Sequence, residues 1–282
     1  MKELTLSAYA KINLHLEVVG RLENGYHAIE SLLHSVSLCD HVTLRRRESG
    51  ITLVCDDPTL DCGEGNLITR AAAAFYRESG IEPGIRIDLV KRIPMRAGMG
   101  GGSADGAATL RGLNLLYGRV LSEDRLYRIA ASLGADLPFC LRARPSLARG
   151  IGDTLSDAPS LPPCHLVIAM GDDEKRSTAH AYGALDALSF TPRSIAPLWS
   201  AMESGSTERI CASLFNRFEA VNPTARKGLD RLSALGAEGA LLCGSGTAFF
   251  GIFRADRALA AEEAAQAMRE EGYRAWIASP IG

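Results

Sequence analysis

The strongest restriction on the fold comes from Gly98–Gly102, where four of five residues are glycine, directly followed by an alanine-rich segment with helical apolar spacing. A glycine cluster ahead of a helix leaves several backbone N–H groups free at one point, where the helix dipole also favours negative charge. Ser103 is a residue type that caps helices, which places Asp105 in the first turn. The stretch predicts a phosphate-binding loop, and the plain alternative is a flexible surface loop.

The class of phosphate loop is narrowed by motifs that the sequence lacks. A Walker A loop needs glycine followed by lysine, and the dipeptide Gly-Lys does not occur in the chain. The dinucleotide pattern G-x-G-x-x-G also fails, because Ser103 stands where its third glycine would be. The H-R-D and D-F-G motifs of protein kinases are absent as well. The loop therefore belongs to another class.

Composition indicates an ordinary globular protein. The 282 residues, 46% hydrophobic and 23% charged, are enough for two domains. Since the net charge is −2 and Arg45–Arg47 is the densest basic cluster, nucleic-acid binding is not expected. Seven cysteines without a C-x-x-C pair predict reduced thiols. Because no apolar leader or membrane-length run occurs, we expect a cytoplasmic protein that does not enter membranes.

A strict alternation of apolar and polar residues runs from Leu4 to Val18, with every even position apolar. This alternation predicts a long strand with one buried face and one polar face. Lys11 and Asn13 occupy the polar face, so their side chains are expected on the same side of the strand.

The remaining pattern predicts an α+β protein. We expect an antiparallel-rich sheet with helices on one side in the first half, and a small split βαβ domain in the second. The stretch 143–163 is rich in Pro, Gly and Ser, so domains of residues 1–150 and 151–282 are predicted, and Asn24–Gly25 is a turn signal. Further strands are predicted near 36–44, 51–54, 85–89, 165–170, 240–242, 248–253 and 273–278, and helices near 66–79, 106–117, 122–133, 177–188, 222–236 and 256–271, with two short helices in 195–218.

Asp136 follows the helix that Gly134 ends and precedes Leu137 and Pro138. A proline two residues after an aspartate prevents that helix from continuing. The aspartate is thereby fixed at an element end, where active-site groups are often held. The alternative is an ordinary helix-ending aspartate.

Four features in order along the chain resemble the GHMP kinase superfamily. They are A-K-I-N-L at 10–14 with G-Y-H at 25–27, the loop 94–103, G-A-D-L-P-F at 134–139, and G-S-G-T at 244–247. The first and third resemble the branch that phosphorylates 4-diphosphocytidyl-2-C-methyl-D-erythritol in the non-mevalonate (MEP) route to isoprenoid and terpenoid precursors. The resemblance spans nearly the whole chain. It implies a two-domain GHMP kinase fold, with a ribosomal S5-like N-terminal domain, a ferredoxin-like C-terminal domain and the active site in the cleft between them.

By position, the resemblance implies that Lys11 and Asp136 are the catalytic pair. Asp136 would orient and deprotonate the acceptor hydroxyl, while Lys11 would pair with Asp136 and with the incoming phosphoryl group. The chemistry agrees, because phosphoryl transfer asks the protein mainly for positioning and charge neutralisation. An aspartate of ordinary pKa is a weak base toward an alcohol, so alignment and late proton acceptance are its expected roles.

The resemblance also implies contacts with the small-molecule acceptor. Asn13 would bind it beside Lys11, and Thr178 would be a further contact. Tyr26 would stack on the cytidine and His27 would hydrogen-bond to the base. The alternative for His27 is a turn histidine without a ligand. No other partner is implied, and the chain is expected as a monomer or weak homodimer.

ATP with Mg²⁺ is implied as the phosphoryl donor, and no sequence pattern identifies a particular carboxylate as a metal ligand. Asn66, Leu67 and Lys91 would lie near the adenine. Gly244, Ser245, Gly246 and Thr247 would support the cleft from the second domain. The loop positions implied for ATP are Pro94, Met95, Arg96, Ala97, Gly98, Met99, Gly100, Gly101, Gly102, Ser103 and Ala104.

The sequence departs from the superfamily pattern in three places. A second serine is usual at Ala104, a Gly-Gly pair is common near Arg142–Pro145, and Asn-Pro-Gly is usual at Ala169–Asp172.

Two alternative functions stay open. A kinase of homoserine or mevalonate is disfavoured by the ring pair at 26–27, and a ligand-sensing protein that kept only the fold is disfavoured by Lys11 with Asp136.

Overall fold

The computed structural model describes residues 2–23, 25–172 and 177–282. Asn24, half of the predicted Asn24–Gly25 turn, lies outside the described residues. The chain forms two compact units, each built from separate stretches. The first unit comprises Met1–Ala10, Cys39–Met95 and Gly100–Ala143, and the second comprises Lys11–Leu38, Arg96–Met99 and Arg144–Gly282. The division into domains of residues 1–150 and 151–282 stays a prediction.

Strands and helices follow one another in an α+β order, and the predicted elements fall on them with some shifted ends. Among the described residues, no helix is both long and apolar enough to cross a membrane. The strands are β1 (Glu3–Arg21), β2 (His27–Arg46), β3 (Gly50–Cys55), β4 (Gly84–Val90), β5 (Ser146–Arg149), β6 (Thr154–Asp157), β7 (Cys164–Met170), β8 (Phe215–Asn216), β9 (Gly239–Leu242), β10 (Ala248–Arg254), β11 (Arg274–Ala278) and β12 (Pro280–Ile281). The helices are α1 (Leu67–Ser79), α2 (Gly101–Leu116), α3 (Glu123–Leu133), α4 (Leu137–Arg142), α5 (Thr178–Asp186), α6 (Ala196–Ser204), α7 (Thr207–Ser213), α8 (Pro223–Ala234) and α9 (Ala258–Glu270), with a short 3₁₀ helix at Arg217–Val221.

In the first unit, β4 lies between β3 and β2. β3 runs parallel to β4, and β2 runs antiparallel to it with Val42 opposite Leu89. The alternating apolar residues of β2 and β4 are buried, as their spacing predicts. α2 packs so closely on this sheet that a side chain at Gly112 would lie 2.4 Å from Cδ1 of Leu44. This packing holds the helix that follows the glycine cluster against the sheet.

β1 is 19 residues long and is buried on both faces over much of its length. Its even, apolar residues are in the core, but the odd residues Lys11, Asn13, His15 and Glu17 are buried too. Alternation shows which side chains share a face, and it does not show whether that face is covered. Because the polar face is covered, its groups need hydrogen-bond partners within the protein.

α2 begins at Gly101, before the expected range 106–117 and two residues ahead of Ser103. Gly100 is the N-cap residue, with a left-handed φ of 68°, and no side chain caps the helix. The predictions of Ser103 as the cap and of Asp105 in the first turn are therefore wrong. Because glycine adopts positive φ without strain, Gly100 turns the chain directly into the helix. Asp105 lies in the second turn and is buried.

The second unit contains a four-stranded antiparallel sheet in the order β11-β7-β10-β9. α5 to α8 lie between β7 and β9 in the sequence, and α9 lies between β10 and β11. This is the predicted split βαβ arrangement. α8 and α9 contribute Leu229, Leu232 and Met268 to a core that also takes in Val167 of β7.

The stretch 143–163 contains a hairpin that its composition did not indicate. β5 and β6 pair antiparallel, and β5 also pairs with β2, with Leu147 opposite Leu32. Gly150 and Gly152 have φ values of 67° and 104° in the connecting turn. The glycines of this stretch therefore serve a hairpin turn.

Candidate active site

The covered polar face of β1 carries a chain of side-chain hydrogen bonds in the second unit. Nζ of Lys11 donates to Oδ1 of Asn13 at 3.0 Å, and Nδ2 of Asn13 donates to Oγ of Ser31 at 2.8 Å. The Ser31 hydroxyl donates to the carbonyl oxygen of His15 at 2.7 Å. The expected common side of Lys11 and Asn13 is confirmed, and Ser31 of β2 fixes the orientation of the amide.

The same face of β1 continues with His15 and Glu17. Burial lowers the pKa of His15 to about 4, so its imidazole is neutral at pH 7. Its Nε2 is buried without a hydrogen-bond partner among the described residues. Glu17 is fully buried and is paired with Arg217 at 2.6 Å, and it also accepts the backbone N–H of Arg193 at 2.7 Å. The charge of Glu17 is therefore compensated within the protein.

The first part of the predicted phosphate loop, residues 96–99, is pinned by backbone hydrogen bonds in the second unit. The N–H of Lys11 donates to the carbonyl oxygen of Met99 at 3.0 Å. The N–H of Ala248 donates to the carbonyl oxygen of Ala97 at 3.3 Å. The loop is thereby tied both to the strand that carries Lys11 and to the start of β10.

The predicted supporting residues 244–247 approach this part of the loop backbone to backbone. Gly98 has a φ of 84°, and a side chain there would lie 2.0 Å from the carbonyl oxygen of Cys243. A side chain at Gly246 would lie 2.3 Å from the carbonyl oxygen of Ala97. Both glycines are therefore required by close approach of the two segments.

The same supporting segment carries two hydroxyl groups, one with a hydrogen-bond partner and one without. Oγ of Ser245 donates to Oγ1 of Thr178 at 3.3 Å, so two predicted residues from distant parts of the sequence meet. Oγ1 of Thr247 is buried without a hydrogen-bond partner in the described structure. Because a buried hydroxyl without a partner is costly, Thr247 has the capacity to bind a polar atom of a ligand.

The second part of the loop, Gly100–Ala104, starts α2 in the first unit. The first intrahelical bond joins the N–H of Ala104 to the carbonyl oxygen of Gly100 at 2.8 Å, so the three preceding N–H groups have no helical partner. Together with the helix dipole they suit an anion, and we call residues 101–104 the phosphate turn. A side chain at Gly102 would make only an ordinary contact, 3.7 Å from Cδ1 of Leu67. Protein packing therefore leaves room at Gly102.

Lys91, expected near the adenine, lies in a buried charge cluster with Asp40 and Asp105 in the first unit. Its Nζ donates to Oδ2 of Asp105 at 2.8 Å and also to Oδ2 of Asp40. The side chains are 8% exposed for Lys91, 0% for Asp40 and 4% for Asp105. Oδ1 of Asp40 also accepts the backbone N–H groups of Arg92 and Ile93, whereas Oδ1 of Asp105 has no partner among the described residues.

The electrostatics of the charge cluster shift the pKa of Asp105 and of Lys91. Burial raises the pKa of Asp105 to about 8; Lys91 lowers it, and Asp40 adds to the increase. For Lys91, burial lowers the pKa, but attraction to Asp105 and Asp40 outweighs burial and leaves the pKa above its usual value. Burial therefore favours the neutral acid form of Asp105 beside the Lys91 ammonium.

Asn66 and Leu67, also expected near the adenine, form the start of α1. Oδ1 of Asn66 accepts the N–H of Ile68 at 2.9 Å, and its Nδ2 donates to the carbonyl oxygen of Asp61 at 2.7 Å. The side chain of Leu67 faces Gly102, and its carbonyl oxygen lies 3.6 Å from the position of a side chain at Gly106. The structure thus places Leu67 beside the phosphate turn, and Asn66 precedes it as the N-cap residue of α1.

His27 is held in a cluster of side chains in the second unit. Its Nε2 lies 2.6 Å from Oδ1 of Asp186, and its ring stacks on Tyr182 with a centroid distance of 4.5 Å and an angle of 16°. The Asp186 carboxylate has its pKa held below the usual value by the hydrogen bond from His27. Tyr26 is 63% exposed, and Tyr182 also meets Phe218 edge to face. His27 therefore has a fixed ring plane and one committed nitrogen.

The other predicted loop residues contribute mainly backbone. The side chains of Pro94, Ala97, Met99 and Ala104 are buried and that of Met95 is half-buried, so any ligand would meet their main chain. Arg96 is exposed and has a φ of 58°, a conformation that costs a residue other than glycine about 1 kcal/mol.

Asp136 is the N-cap residue of α4, a short helix that the sequence did not predict, and it makes no capping side-chain bond. Pro138 is the second residue of this helix, whereas its predicted role is only to end the preceding one; proline is well tolerated in a first helical turn. The side chain of Leu137 packs beside Gly106 of α2, at 3.2 Å from the position of a side chain there. Asp136 is therefore fixed by an element packed on α2.

Several polar partners in the site were not identified from the sequence. Ser31, Asp40, Tyr182 and Asp186 each contact a predicted site residue. Asp40 carried one usable signal, since it occupies an even position of the predicted strand 36–44, where the other even positions are apolar and a buried aspartate would need partners. The other three lie in segments whose local pattern is ordinary.

No group of three or more His, Cys, Asp or Glu side chains in the described part of the chain is arranged to hold a metal ion. The donor set instead fits a phosphate ligand, because three backbone N–H groups open the uncapped helix α2. Any Mg²⁺ at this site would depend on phosphate oxygens and water for most of its ligands.

Comparison with known proteins adds family information. Residues 66–144 match the family model of the GHMP kinase N-terminal domain, and residues 198–274 match that of the C-terminal domain. The chain is 38% identical over 98% of its length to 4-diphosphocytidyl-2-C-methyl-D-erythritol kinase of Desulfitobacterium hafniense strain Y51, with 95% of that protein covered. It is 42% identical over 89% of its length to the protein of the same name from Moorella thermoacetica, with 90% of that protein covered.

Solved structures agree with these sequence relationships. A crystal structure of 4-(cytidine 5′-diphospho)-2C-methyl-D-erythritol kinase superposes with a TM-score of 0.84 and 34% identity, covering 99% of this chain and 100% of the other. Homoserine kinase from Cytophaga hutchinsonii superposes with a TM-score of 0.77 at 19% identity, covering 100% and 95%. The latter likeness shows a shared fold alone.

Proposed function

The chain belongs to the GHMP kinases and, within them, to the 4-diphosphocytidyl-2-C-methyl-D-erythritol kinase family, and we propose that it transfers the γ-phosphoryl group of ATP to the 2-hydroxyl of that acceptor. The family resemblance of the four motifs and the two-domain α+β GHMP kinase fold are confirmed. The observation that carries the proposal is the full-length relationship to kinases of that name.

We propose that Lys11 and Asp136 carry the chemistry. The Lys11 ammonium is oriented by Asn13 and supplies positive charge for the transferred phosphoryl group. Asp136 aligns the acceptor hydroxyl and takes its proton late in the transfer, when the oxygen has become acidic enough for an aspartate to act as base. Both roles demand fixed geometry, which burial on β1 gives to Lys11 and the packing of α4 gives to Asp136.

The phosphate turn is proposed to hold the phosphates of ATP through its backbone N–H groups, with Asn66 and Leu67 beside the nucleotide. Gly102 leaves the room that a phosphate needs close to the main chain. Mg²⁺, bound through the phosphates, would supply further charge neutralisation. The Lys91 ammonium is committed to two carboxyl groups, so its proposed contribution is indirect.

The acceptor is proposed to lie along Asn13 and the hydroxyl pair of Thr178 and Ser245, with its cytidine at His27. A base needs a flat partner and a hydrogen-bonding edge, and the His27 ring, stacked on Tyr182, offers both. Asp186 supports this role because it fixes the ring of His27. Tyr26 adds an exposed ring next to it in the sequence.

The proposed function is tested by ADP release from purified protein with Mg·ATP and each of three acceptors at equal concentration. These are 4-diphosphocytidyl-2-C-methyl-D-erythritol, homoserine and mevalonate. We expect turnover with the cytidylyl compound alone. Turnover with homoserine or mevalonate would reverse the substrate assignment. Ligand binding without any turnover would indicate a sensing protein.

We further propose that the protein acts in the cytoplasm within the MEP pathway, as a monomer or weak homodimer. All seven cysteines are free thiols, a state that suits a reducing compartment. Sedimentation at micromolar concentration tests the proposed association state, and a tight dimer or larger assembly would contradict it.

A further inference from the structure

We propose that the charge cluster of Asp40, Lys91 and Asp105 is a proton-linked device that positions the phosphate turn, with Asp105 held as the neutral acid. Ionisation of Asp105 then weakens nucleotide binding. Lys91 is on this view a positioning residue and not a ligand of the nucleotide. The inference rests on the proposed function only in that the phosphate turn receives the phosphates of ATP.

The charge cluster joins three segments at the base of the phosphate turn. Asp40 comes from β2, Lys91 follows β4, and Asp105 lies in the second turn of α2. Nζ of Lys91 lies 3.4 Å from the position that a side chain on Gly101 would occupy. Asp40 also holds the chain after β4 through the N–H of Ile93 at 2.8 Å. The cluster therefore lies beside the first residue of α2.

The cluster contains one cation and two carboxyl groups, all buried, so full ionisation would leave an uncompensated negative charge. Contacts decide which carboxyl group keeps the proton. Asp40 accepts from Lys91 and from two backbone N–H groups, which favour a carboxylate. Oδ2 of Asp105 accepts from the shared ammonium, whereas its Oδ1 has no partner in the described structure. A buried oxygen without a partner is tolerated far better on a neutral acid than on an anion.

Among the described residues, the charged groups with the largest effect on Asp105 are Lys91, which favours its carboxylate, and Asp40, which opposes it. α1 and α4 face the neighbouring residue, Gly106, with Leu67 and Leu137. The proton on Asp105 is therefore what keeps the cluster neutral overall.

Ionisation of Asp105 places a negative charge close to the donors of the phosphate turn. Since a helix rises about 1.5 Å per residue, the backbone of Asp105 is only about 3–6 Å along the axis from residues 101–103, which supply the free N–H groups of the phosphate turn. A like charge at such a separation opposes a triphosphate and is expected to weaken binding by roughly tenfold. The loss should develop as the pH rises through about 8, where Asp105 titrates.

The test is the dissociation constant of Mg·ATP, measured by calorimetry without acceptor between pH 7 and 9.5. For the wild type we expect an increase of roughly tenfold over this range. Asp105→Asn keeps the neutral shape and cannot ionise, so it should match the wild type at pH 7 and stay flat. Asp88→Asn is the matched control: Asp88 lies on β4 and pairs with Arg45 and Arg86 outside the cluster. This control should follow the wild-type curve.

Three results would overturn the inference. They are an equal rise in Asp105→Asn, a flat wild-type curve, and a loss of about tenfold or more at pH 7 in Asp105→Asn, since this last would mean that the charged carboxylate is required. Because binding is measured without acceptor, a failure of the proposed substrate would leave these outcomes unchanged. Absence of any Mg·ATP binding by folded wild-type protein would overturn both proposals, whereas binding without turnover would remove the proposed function alone.

Discussion

Among single residues, Asp136 tests the proposed chemistry most directly. Asparagine has nearly the same shape and is also well accepted as an N-cap residue, so Asp136→Asn should leave α4 intact. It cannot accept a proton, and we expect kcat to fall by about 10³-fold or more, with the Mg·ATP dissociation constant changed less than about twofold. Steady-state kinetics and direct nucleotide binding measure the two effects.

Asp124→Asn, in the first turn of α3, is the control for Asp136→Asn and should retain wild-type turnover. If Asp136→Asn turned over the acceptor as fast as the wild type, the catalytic assignment of Asp136 would be lost. If it lost nucleotide binding as well, its role would be structural.

Asp186 tests the proposed base site through a residue that need not touch the substrate. Removing its charge in Asp186→Asn should weaken the hydrogen bond of 2.6 Å that fixes the ring of His27, because a neutral amide oxygen is a weaker acceptor than a carboxylate. We expect the KM for the acceptor to rise about three- to tenfold while kcat and the KM for ATP change little. Initial rates at varied acceptor concentration measure this split.

Asp256→Asn is a matched control for Asp186, because Asp256 is likewise an exposed carboxylate in an ion pair, with Arg254, in the second unit. It should leave all three kinetic constants unchanged. A fall in kcat alone for Asp186→Asn would place Asp186 in the chemistry and not in acceptor binding.

At the scale of elements, the two parts of the glycine loop should respond oppositely to alanine. Gly98→Ala places a side chain 2.0 Å from a backbone oxygen at a φ of 84°, so we expect a loss of about 2 kcal/mol or more in the free energy of unfolding. Gly102→Ala meets only an ordinary contact inside a helix, so its stability should equal or exceed the wild type by up to about 1 kcal/mol.

Gly102→Ala should nevertheless raise the KM for ATP about tenfold or more, because the added methyl occupies space proposed for phosphate. Urea unfolding and ATP kinetics on the two variants separate the effects. Unchanged ATP kinetics in Gly102→Ala would remove the phosphate turn from the proposed nucleotide site. Unchanged stability in Gly98→Ala would contradict the close approach to Cys243.

Local chemistry explains which elements could be predicted from sequence. α1 and α3 carry their signals within a few residues, with Asn66 and Ser122 as caps and glycines at positions 80 and 134, and both were placed almost to the residue. The start of α2 was misplaced because Asp105 resembles a first-turn acid in sequence. Its actual partners, Lys91 and Asp40, lie 14 and 65 residues away, and no local pattern encodes them.

In the candidate site, too, some contacts could be predicted from local sequence and others depend on tertiary packing. Lys11 and Asn13 could be placed together because strand periodicity is a local property. Their support from Ser31, and that of His27 from Tyr182 and Asp186, depends on which strands and helices pack together. The motif resemblance supplied the identity of the site residues, and only tertiary structure supplies the groups that orient them.

At the scale of the whole molecule, the chain does not form its two units from consecutive halves. β1 and β2 each contribute residues to both units, and the second unit includes the short stretch Arg96–Met99. Composition marks a Pro- and Gly-rich stretch near residue 150, but it cannot show that one long strand serves two compact units.

The free energy of unfolding of the whole protein should depend on pH through the titration of Asp105. Its folded-state pKa of about 8 lies above the ordinary value of 3.8, so folding takes up a proton between these limits. The free energy of unfolding of the wild type should therefore fall as pH rises through this window, by up to about 1.4 kcal/mol per pH unit, and should lose nothing further from this group above it. Asp105→Asn removes that term, so its advantage over the wild type should grow from pH 5 to pH 8 and then level off.

Urea unfolding at pH 5, 6, 7, 8 and 9 measures this advantage in the absence of any ligand. His15 acts in the opposite sense, because its lowered pKa of about 4 makes both proteins lose stability as pH falls below 6.5. That contribution is common to wild type and variant, so it cancels in their difference. Parallel curves of unfolding free energy against pH for the two proteins would mean that Asp105 is ionised throughout. Curves that diverge up to pH 8 would establish that the carboxyl group beside the phosphate turn is protonated in the folded protein.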